Sequence, residues 1–425
     1  MLSILKNAWK IPDLRKKILF TLAMLVIFRL GSTIPVPGMN KEALDQLFNQ
    51  QQNGLFSFFN LLSGGAFANF TIFALSITPY ITSSIIMQLL TIAIPSLEAM
   101  AKEGEEGRKK IAQFTRYGTV VLALIQGTAV SIGLFRQALI STDIWSVGVV
   151  VLTLTAGTAF LMWLGEQITE KGIGNGISLI IFGGIVSSIP IGVAQTIEKY
   201  RIGEVSIISL VLFAVIAIFI IAGVIVIQQG TRKIPVQYAK RVVGRKTYGG
   251  HSTHIPLKVN QAGVIPVIFA ISLLQFPLTL TFFFQGGGFT NFVEKYLSPA
   301  GNPGIWIYSI LNVILIIFFT YFYTAVTFNP PEVAENMKKH GGFIPGIRPG
   351  KPTAEYLQKV LTRITLAGAV FLATIAVLPT LILQFSSLQL QFGGTSLLIV
   401  VGVALETMKQ VEAQMMMRHY QGFLK

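Results

Sequence analysis

VSIISLVLFAVIAIFIIAGVIVI, Val205 to Ile227, contains no charged residue and no proline, and it is apolar on every side rather than along one stripe. A helix needs about 20 such residues to cross the roughly 30 Å hydrocarbon core of a bilayer. The run is therefore a membrane span, and the rest of the chain repeats its character. Just over half of the 425 residues are hydrophobic (52%), 12% are charged, and there are 31 phenylalanines. Similar runs occur at Ile18 to Ile34, Phe70 to Ile94, Gly118 to Phe135, Trp145 to Leu164, Ile177 to Ile191, Ala262 to Phe284, Ile305 to Phe328, Ile364 to Phe385 and Thr395 to Met408. The expected fold class is an all-α polytopic membrane protein with ten transmembrane helices. No secretory cleavage site precedes the first run, which is expected to remain as a span.

Lysine and arginine orient the spans, because cytoplasmic loops retain them. One face carries Lys6, Lys10, Arg15, Lys16 and Lys17, the loop Lys102 to Arg116, two long loops and the carboxyl tail, and so takes most of the 33 basic residues. The other face carries Lys41, Arg136, Lys199, Arg201 and Lys295, and Arg29 lies within the first span. Both termini are expected in the cytoplasm. This asymmetry accounts for most of the +15 net charge without any nucleic acid.

The two long loops, residues 228–258 and 329–359, exceed what topology requires. The first holds Arg232, Lys233, Lys240, Arg241, Arg245, Lys246 and Lys258 among tyrosines and histidines, with no acidic residue between Glu204 and Glu294. Such a surface attracts phosphate or an acidic protein; lipid headgroup contact is the plainer alternative. In the second, Asn329-Pro330-Pro331 stops one helix, Glu332 to Lys339 forms a short one, and glycines and prolines hold an irregular tip that carries Arg348 and Lys351. An exposed guanidinium there suits a partner's carboxylate or phosphate.

Other chemistries find little to work with. The chain has no cysteine, and none of its four histidines lies in a span. No catalytic, cofactor-binding or metal site is expected, and Gly350-Lys351 lacks the Ser or Thr and the preceding strand of a nucleotide loop. An ion-coupled transporter usually places ionisable groups near the membrane midplane. Here only Arg29 lies well inside a span, with Glu166 and Glu406 towards span ends. A pore-less ribosome or receptor anchor would explain the basic loops but not the glycine-rich spans.

Five runs then carry a resemblance: Gly342-Phe-Ile-Pro-Gly-Ile-Arg-Pro-Gly350, Gly172-Ile-Gly-Asn-Gly-Ile-Ser178, Phe73-Ala-Leu with Thr78-Pro-Tyr-Ile81, Lys258-Val-Asn-Gln-Ala-Gly-Val-Ile-Pro266 and Gly393-Gly-Thr-Ser396. In order along nearly the whole chain, they resemble the bacterial SecY family, channel subunits of the protein-conducting Sec translocon. The resemblance implies two inverted five-helix halves, residues 1–191 and 205–425, joined by a hinge loop over 192–204. It implies a channel that passes unfolded secretory polypeptides across the bacterial plasma (inner) membrane and releases transmembrane segments sideways. It implies no enzymatic activity and no small-molecule substrate or cofactor. The expected partners are SecE, SecG, the SecA ATPase, the ribosome, signal peptides and secretory precursors, and membrane lipid.

The same resemblance assigns residues. A pore ring of branched aliphatics, which dewets when empty and yields around a passing chain, is expected from Ile77, Ile81, Ile181, Ile185, Ile268 and Ile399. Taken singly, an isoleucine in a membrane helix usually faces lipid or packs against a neighbour. A re-entrant plug helix is expected at about 55–66, with Phe56, Phe58, Phe59, Leu61 and Leu62 as its apolar body and Gly64 and Gly65 as its hinge. An amphipathic helix lying on the outer surface is the alternative. A lateral gate between the second and seventh spans is expected to use Thr82, Ser83, Ser84 and Gln88 on one side and Asn260, Gln261, Ser272 and Gln275 on the other. Motor or ribosome docking is expected at Lys240, Arg241, Arg245, Lys246, Arg348 and Lys351.

Overall fold

The structure, a computed structural model, describes residues 2–50, 60, 63–203, 206–238, 241–243, 246–248, 252–281, 283, 287–298, 303–385 and 394–422. Helices dominate it, and each expected span falls on one. In the first half these are α2 (Pro12–Gly31), α4 (Thr78–Ala93), α6 (Glu105–Thr128), α7 (Ile144–Lys171) and α8 (Gly176–Ile202). In the second they are α9 (Ile207–Gln229), α10 (Ile265–Leu280), α12 (Gly304–Thr327), α14 (Lys351–Phe385) and α15 (Gly394–Gly422). Shorter helices lie between them: α1 (Leu2–Lys10), α3 (Lys41–Gln50), α5 (Pro95–Lys102), α11 (Gly288–Tyr296) and α13 (Pro330–Lys339). Prolines open several of them, including α2, α4, α5, α10 and α13, where the missing N–H would find no partner in any case.

Two boundaries differ from expectation. The second span does not become helical at Phe70: residues 63–77 form successive turns, with Phe70 (φ 42°) and Ser76 (φ 54°) in the left-handed region, and α4 starts only at Thr78. At its far end Pro95 breaks the ladder, and the chain bends by 100° into α5. The connection expected as a loop over 192–204 is helical as far as Ile202, where Gly203 (φ 82°) caps α8 by accepting the left-handed conformation.

The glycines of the run at 172–178 have a steric purpose. Asn175 caps α8, its Oδ1 accepting from the N–H groups of Ile177 (3.1 Å) and Ser178 (3.2 Å). Gly176 lies so close to α7 that a Cβ there would overlap the carbonyl oxygen of Gly165. Gly176→Ala is expected to force the helices apart and destabilise the protein by about 1–3 kcal/mol. A lower melting midpoint of the purified protein in detergent is the expected reading, and an unchanged midpoint would contradict the contact.

The largest buried cluster joins both halves, with Phe28, Ile77, Ile81, Leu161, Ile181 and Ile185 from the first and Val267, Phe319, Leu372 and Ile399 from the second. A second cluster, around Val36, Phe67, Phe70 and Phe135, packs the turns of residues 63–77 against the end of the third span. Phe70 and Phe135 meet edge to face at 4.6 Å.

Outside the spans the two long loops form one body. Strand β1 (Thr231–Tyr238) pairs antiparallel with β4 (Ser252–Lys258), with Ile234 opposite Ile255, and the short hairpin β2 (Arg241–Val243) and β3 (Lys246–Tyr248) lies between them in sequence. Strand β5 (Gly342–Phe343) from the second loop adds to the free edge of β1. Ile234, Val236 and Leu257 on the inner face meet Met337, Ile344 and Leu357. This small sheet was not expected from the sequence.

Candidate pore and docking surface

Four helices and the turn before α4 converge on one small cavity. It is lined by Ser76, Ile77, Thr78, Ile81, Ile181, Ile268, Ile271, Ser272, Gln275 and Ile399. The free space among them is about 20 Å³, on the order of one water molecule. Five of the six isoleucines expected in a ring thus come together, from α4 and its cap, α8, α10 and α15. Ile185 does not line the cavity; one turn along α8 from Ile181, it is 1% exposed within the surrounding core. Ile271 was missed. The spacing from Ile268 through Ile271 and Ser272 to Gln275 is i, i+3, i+4, i+7, the single face of a helix, and would have found it.

The polar residues expected along a seam divide by direction. Helices α4 and α10 pack against each other. Ser272 and Gln275 line the cavity, and neither amide atom of Gln275 has a hydrogen-bond partner among the described residues. Ser83, by contrast, faces α6, its hydroxyl donating to the Thr115 carbonyl at 2.8 Å. Thr82 donates to its own helix at Thr78 (3.1 Å), and Gln88 donates to Ser84 (3.3 Å). Asn260 holds the Gly263 carbonyl at 2.9 Å, and the buried carbonyl oxygen of Gln261 is unpartnered among the described residues. Thr82, Ser83 and Gln88 thus make these bonds within α4 or to α6 and not across the seam.

For the plug, Phe56, Phe58, Phe59, Leu61 and Leu62 lie outside the described residues. Gly64 (φ 65°) and Gly65 (φ 90°) both take the left-handed conformation that the turn requires.

Of the expected docking residues, Arg348 and Lys351 lie on the second loop, next to the strand that joins the sheet. Lys240 and Arg245 are outside the described residues, while Arg241 and Lys246 belong to the β2–β3 hairpin, whose register sets Arg241 opposite Tyr248. Arg348 and Lys351 are exposed. No carboxylate pairs with Arg348 among the described residues. Its backbone is nonetheless fixed. The hydroxyl of buried Thr353 donates to the Arg348 carbonyl at 2.9 Å, Ile347 N–H donates to Ile344 at 3.0 Å, and Ile347 packs on the cluster beneath the sheet. Thr353→Val keeps the shape and removes that hydrogen bond, worth about 1 kcal/mol. The expected outcome is about fivefold weaker binding of a partner that docks through Arg348, with the melting midpoint little changed; equal affinity would separate Thr353 from docking.

A protein-family model described as SecY matches residues 71–408. Over 441 residues, covering all of both chains, the chain is 53% identical to protein translocase subunit SecY of Halalkalibacterium halodurans. It is 48% identical, again over 441 residues and all of both chains, to the protein of the same name from Bacillus subtilis. A solved structure described as "The structure of a protein conducting channel" aligns with a TM-score of 0.68 at 21% identity, covering 93% of this chain and 91% of that one. A second, concerned with the plug domain of SecY, aligns with a TM-score of 0.65 at 19% identity and the same coverage. At these identities the two structures speak to the fold.

Proposed function

Because the chain belongs to the SecY family, we propose that it is the channel subunit of a bacterial protein translocon, passing unfolded secretory polypeptides across the plasma membrane and membrane segments sideways into lipid. The observation that carries this reading is the small isoleucine-lined cavity. Isoleucines from both halves meet there around space for a single water, with no charged residue among the lining. A constriction of that kind blocks ions by excluding water, and its branched side chains give way to a polypeptide without binding it tightly.

Arranged around this constriction, the other elements take the roles of a channel that must open. The segment ending at Gly64 and Gly65 is the plug. The α4–α10 contact is the lateral gate, where Gln275 and Ser272 face the pore. Parting two membrane helices that share few cross-seam hydrogen bonds, each worth on the order of 1 kcal/mol, is within reach of a hydrophobic signal segment. The chain supplies no hydrolysis of its own. SecA docks on the joined body of the two loops with Arg348 central, or a translating ribosome uses the hairpin that carries Arg241. SecE holds the two halves together, SecG associates, and both termini face the cytoplasm.

Crosslinking tests the reading directly. With a photoreactive residue at Ile81 or Ile268 in reconstituted vesicles, a secretory precursor stalled during SecA- and ATP-driven export is expected to crosslink at both positions, only when ATP and precursor are present. Absence of crosslinks from protein that has inserted correctly would reject the pore.

A further inference from the structure

Arg29 is a charge in the last turn of α2 with no ion-pair partner among the described residues. Its Nη1 donates to the carbonyl oxygen of Gly64 at 2.6 Å and to the Ser187 hydroxyl at 3.1 Å. Ser187 in turn donates to the Gly184 carbonyl at 2.8 Å, leaving its oxygen free to accept from the guanidinium. One cation thereby ties the turn that follows the plug segment to α8 of the same half.

The steric fit is as close as the hydrogen bonding. Gly64 is buried, and a Cβ on it would come within 2.8 Å of the Gly184 Cα and 2.9 Å of the Ser187 oxygen. The turn is knit internally as well: Gly65 N–H donates to the Asn60 carbonyl (2.9 Å), and Ala68 N–H donates to the Asn60 side chain (2.9 Å). The Arg29 contacts join this turn to α8. An arginine in a membrane span is costly to keep unless it serves a function, and a helix carboxyl end is where a cation is least costly.

We propose that Arg29 is a positioning residue for channel gating: a clasp that holds the Gly64 turn on α8 in the closed state and so sets how strong a signal segment must be to open the channel. This rests on the channel reading above. Hydrogen bonds from a charged donor to backbone and hydroxyl acceptors are among the stronger ones a protein makes. They are local to one turn and two helices, so releasing them frees the turn without dismantling the bundle.

The test compares wild type, Arg29→Gln, Arg29→Lys, Ser187→Ala and the Arg29→Gln/Ser187→Ala double variant in reconstituted vesicles and planar bilayers. The readings are conductance of the empty channel, export of a precursor whose signal segment has been shortened, and melting midpoint. Arg29→Gln is expected to raise the open fraction and the export of the weakened precursor by about 10- to 100-fold, leaving export of the normal precursor unchanged. Arg29→Lys and Ser187→Ala should show smaller increases, and the double variant should match Arg29→Gln, since Arg29→Gln already removes the bond that Ser187→Ala breaks. A role in folding alone would lower the midpoint and leave gating as in wild type. If Arg29→Gln fails to accumulate, Ser187→Ala and Arg29→Lys decide, and wild-type conductance and stringency in both would overturn the clasp. Wild-type protein that neither conducts nor exports would instead overturn the channel reading itself.

Discussion

Reversing the charge at Arg348 (Arg348→Glu) is expected to lower SecA-driven export by about 30-fold or more while the protein still inserts and folds. Removing one partner of a desolvated, hydrogen-bonded charge pair at an interface costs on the order of 2–5 kcal/mol, and reversal adds repulsion. The size of the effect depends on how the side chain is presented. Gly346 (φ 81°) and Gly350 (φ 97°) turn the chain sharply on either side of Arg348, Thr353 ties its carbonyl, and β5 anchors the whole loop to β1. The backbone beneath the guanidinium is already ordered, so docking has only the side chain's own rotamers left to fix. Folding should be spared, because the exposed side chain makes no ion pair within the described residues. Normal export by Arg348→Glu would remove the tip from the docking surface; lost export together with lost insertion would show that the tip serves the fold instead.

The spans were legible because the bilayer fixes their length, and a run such as Val205 to Ile227 has no other stable solution. Their ends were less so. Nothing in the apolar composition of Phe70 to Ile77 distinguishes helix from the turns actually formed, since those turns are set by Phe70 packing on Phe135 and by backbone bonds such as Ile72 N–H to the Ile34 carbonyl (3.0 Å), both across the fold. The sheet was hidden for the same reason. Alternation in β1, with Ile234 and Val236 buried and Lys233 and Pro235 exposed, is visible in TRKIPVQY, but its edge partner at Gly342–Phe343 lies in the other loop. For the pore, the resemblance assigned the isoleucines, and an i, i+4 spacing puts two of them on one helix face without saying where that face points. Ile181 and Ile185 satisfy the same spacing, and only the packing of α8 sends Ile181 into the cavity and leaves Ile185 in the core. Ser83 shows the same limit: its residue type fits a gate, and its direction is towards α6.

That difference between Ile181 and Ile185 makes the second large effect specific. Ile268→Asn and Ile399→Asn each add a second amide to that of Gln275 on the wall of a cavity with space for about one water. An amide buried without partners is unfavourable, and water entering the cavity relieves it. A wetted constriction conducts ions, so each variant is expected to raise the conductance of the empty channel by about tenfold or more and to pass precursors with weakened signals. The two residues come from different helices of the second half and face the same space, so the double variant should leak at least as much as either single. Ile185→Asn is the control. It is 1% exposed and does not line the cavity, so its amide has no water to recruit, and the expected result is a loss of stability of about 1–3 kcal/mol with no new conductance. Equal leak from all three positions would mean that the seal depends on general packing of the bundle; no leak from Ile268→Asn or Ile399→Asn would mean that the seal lies elsewhere along the pore.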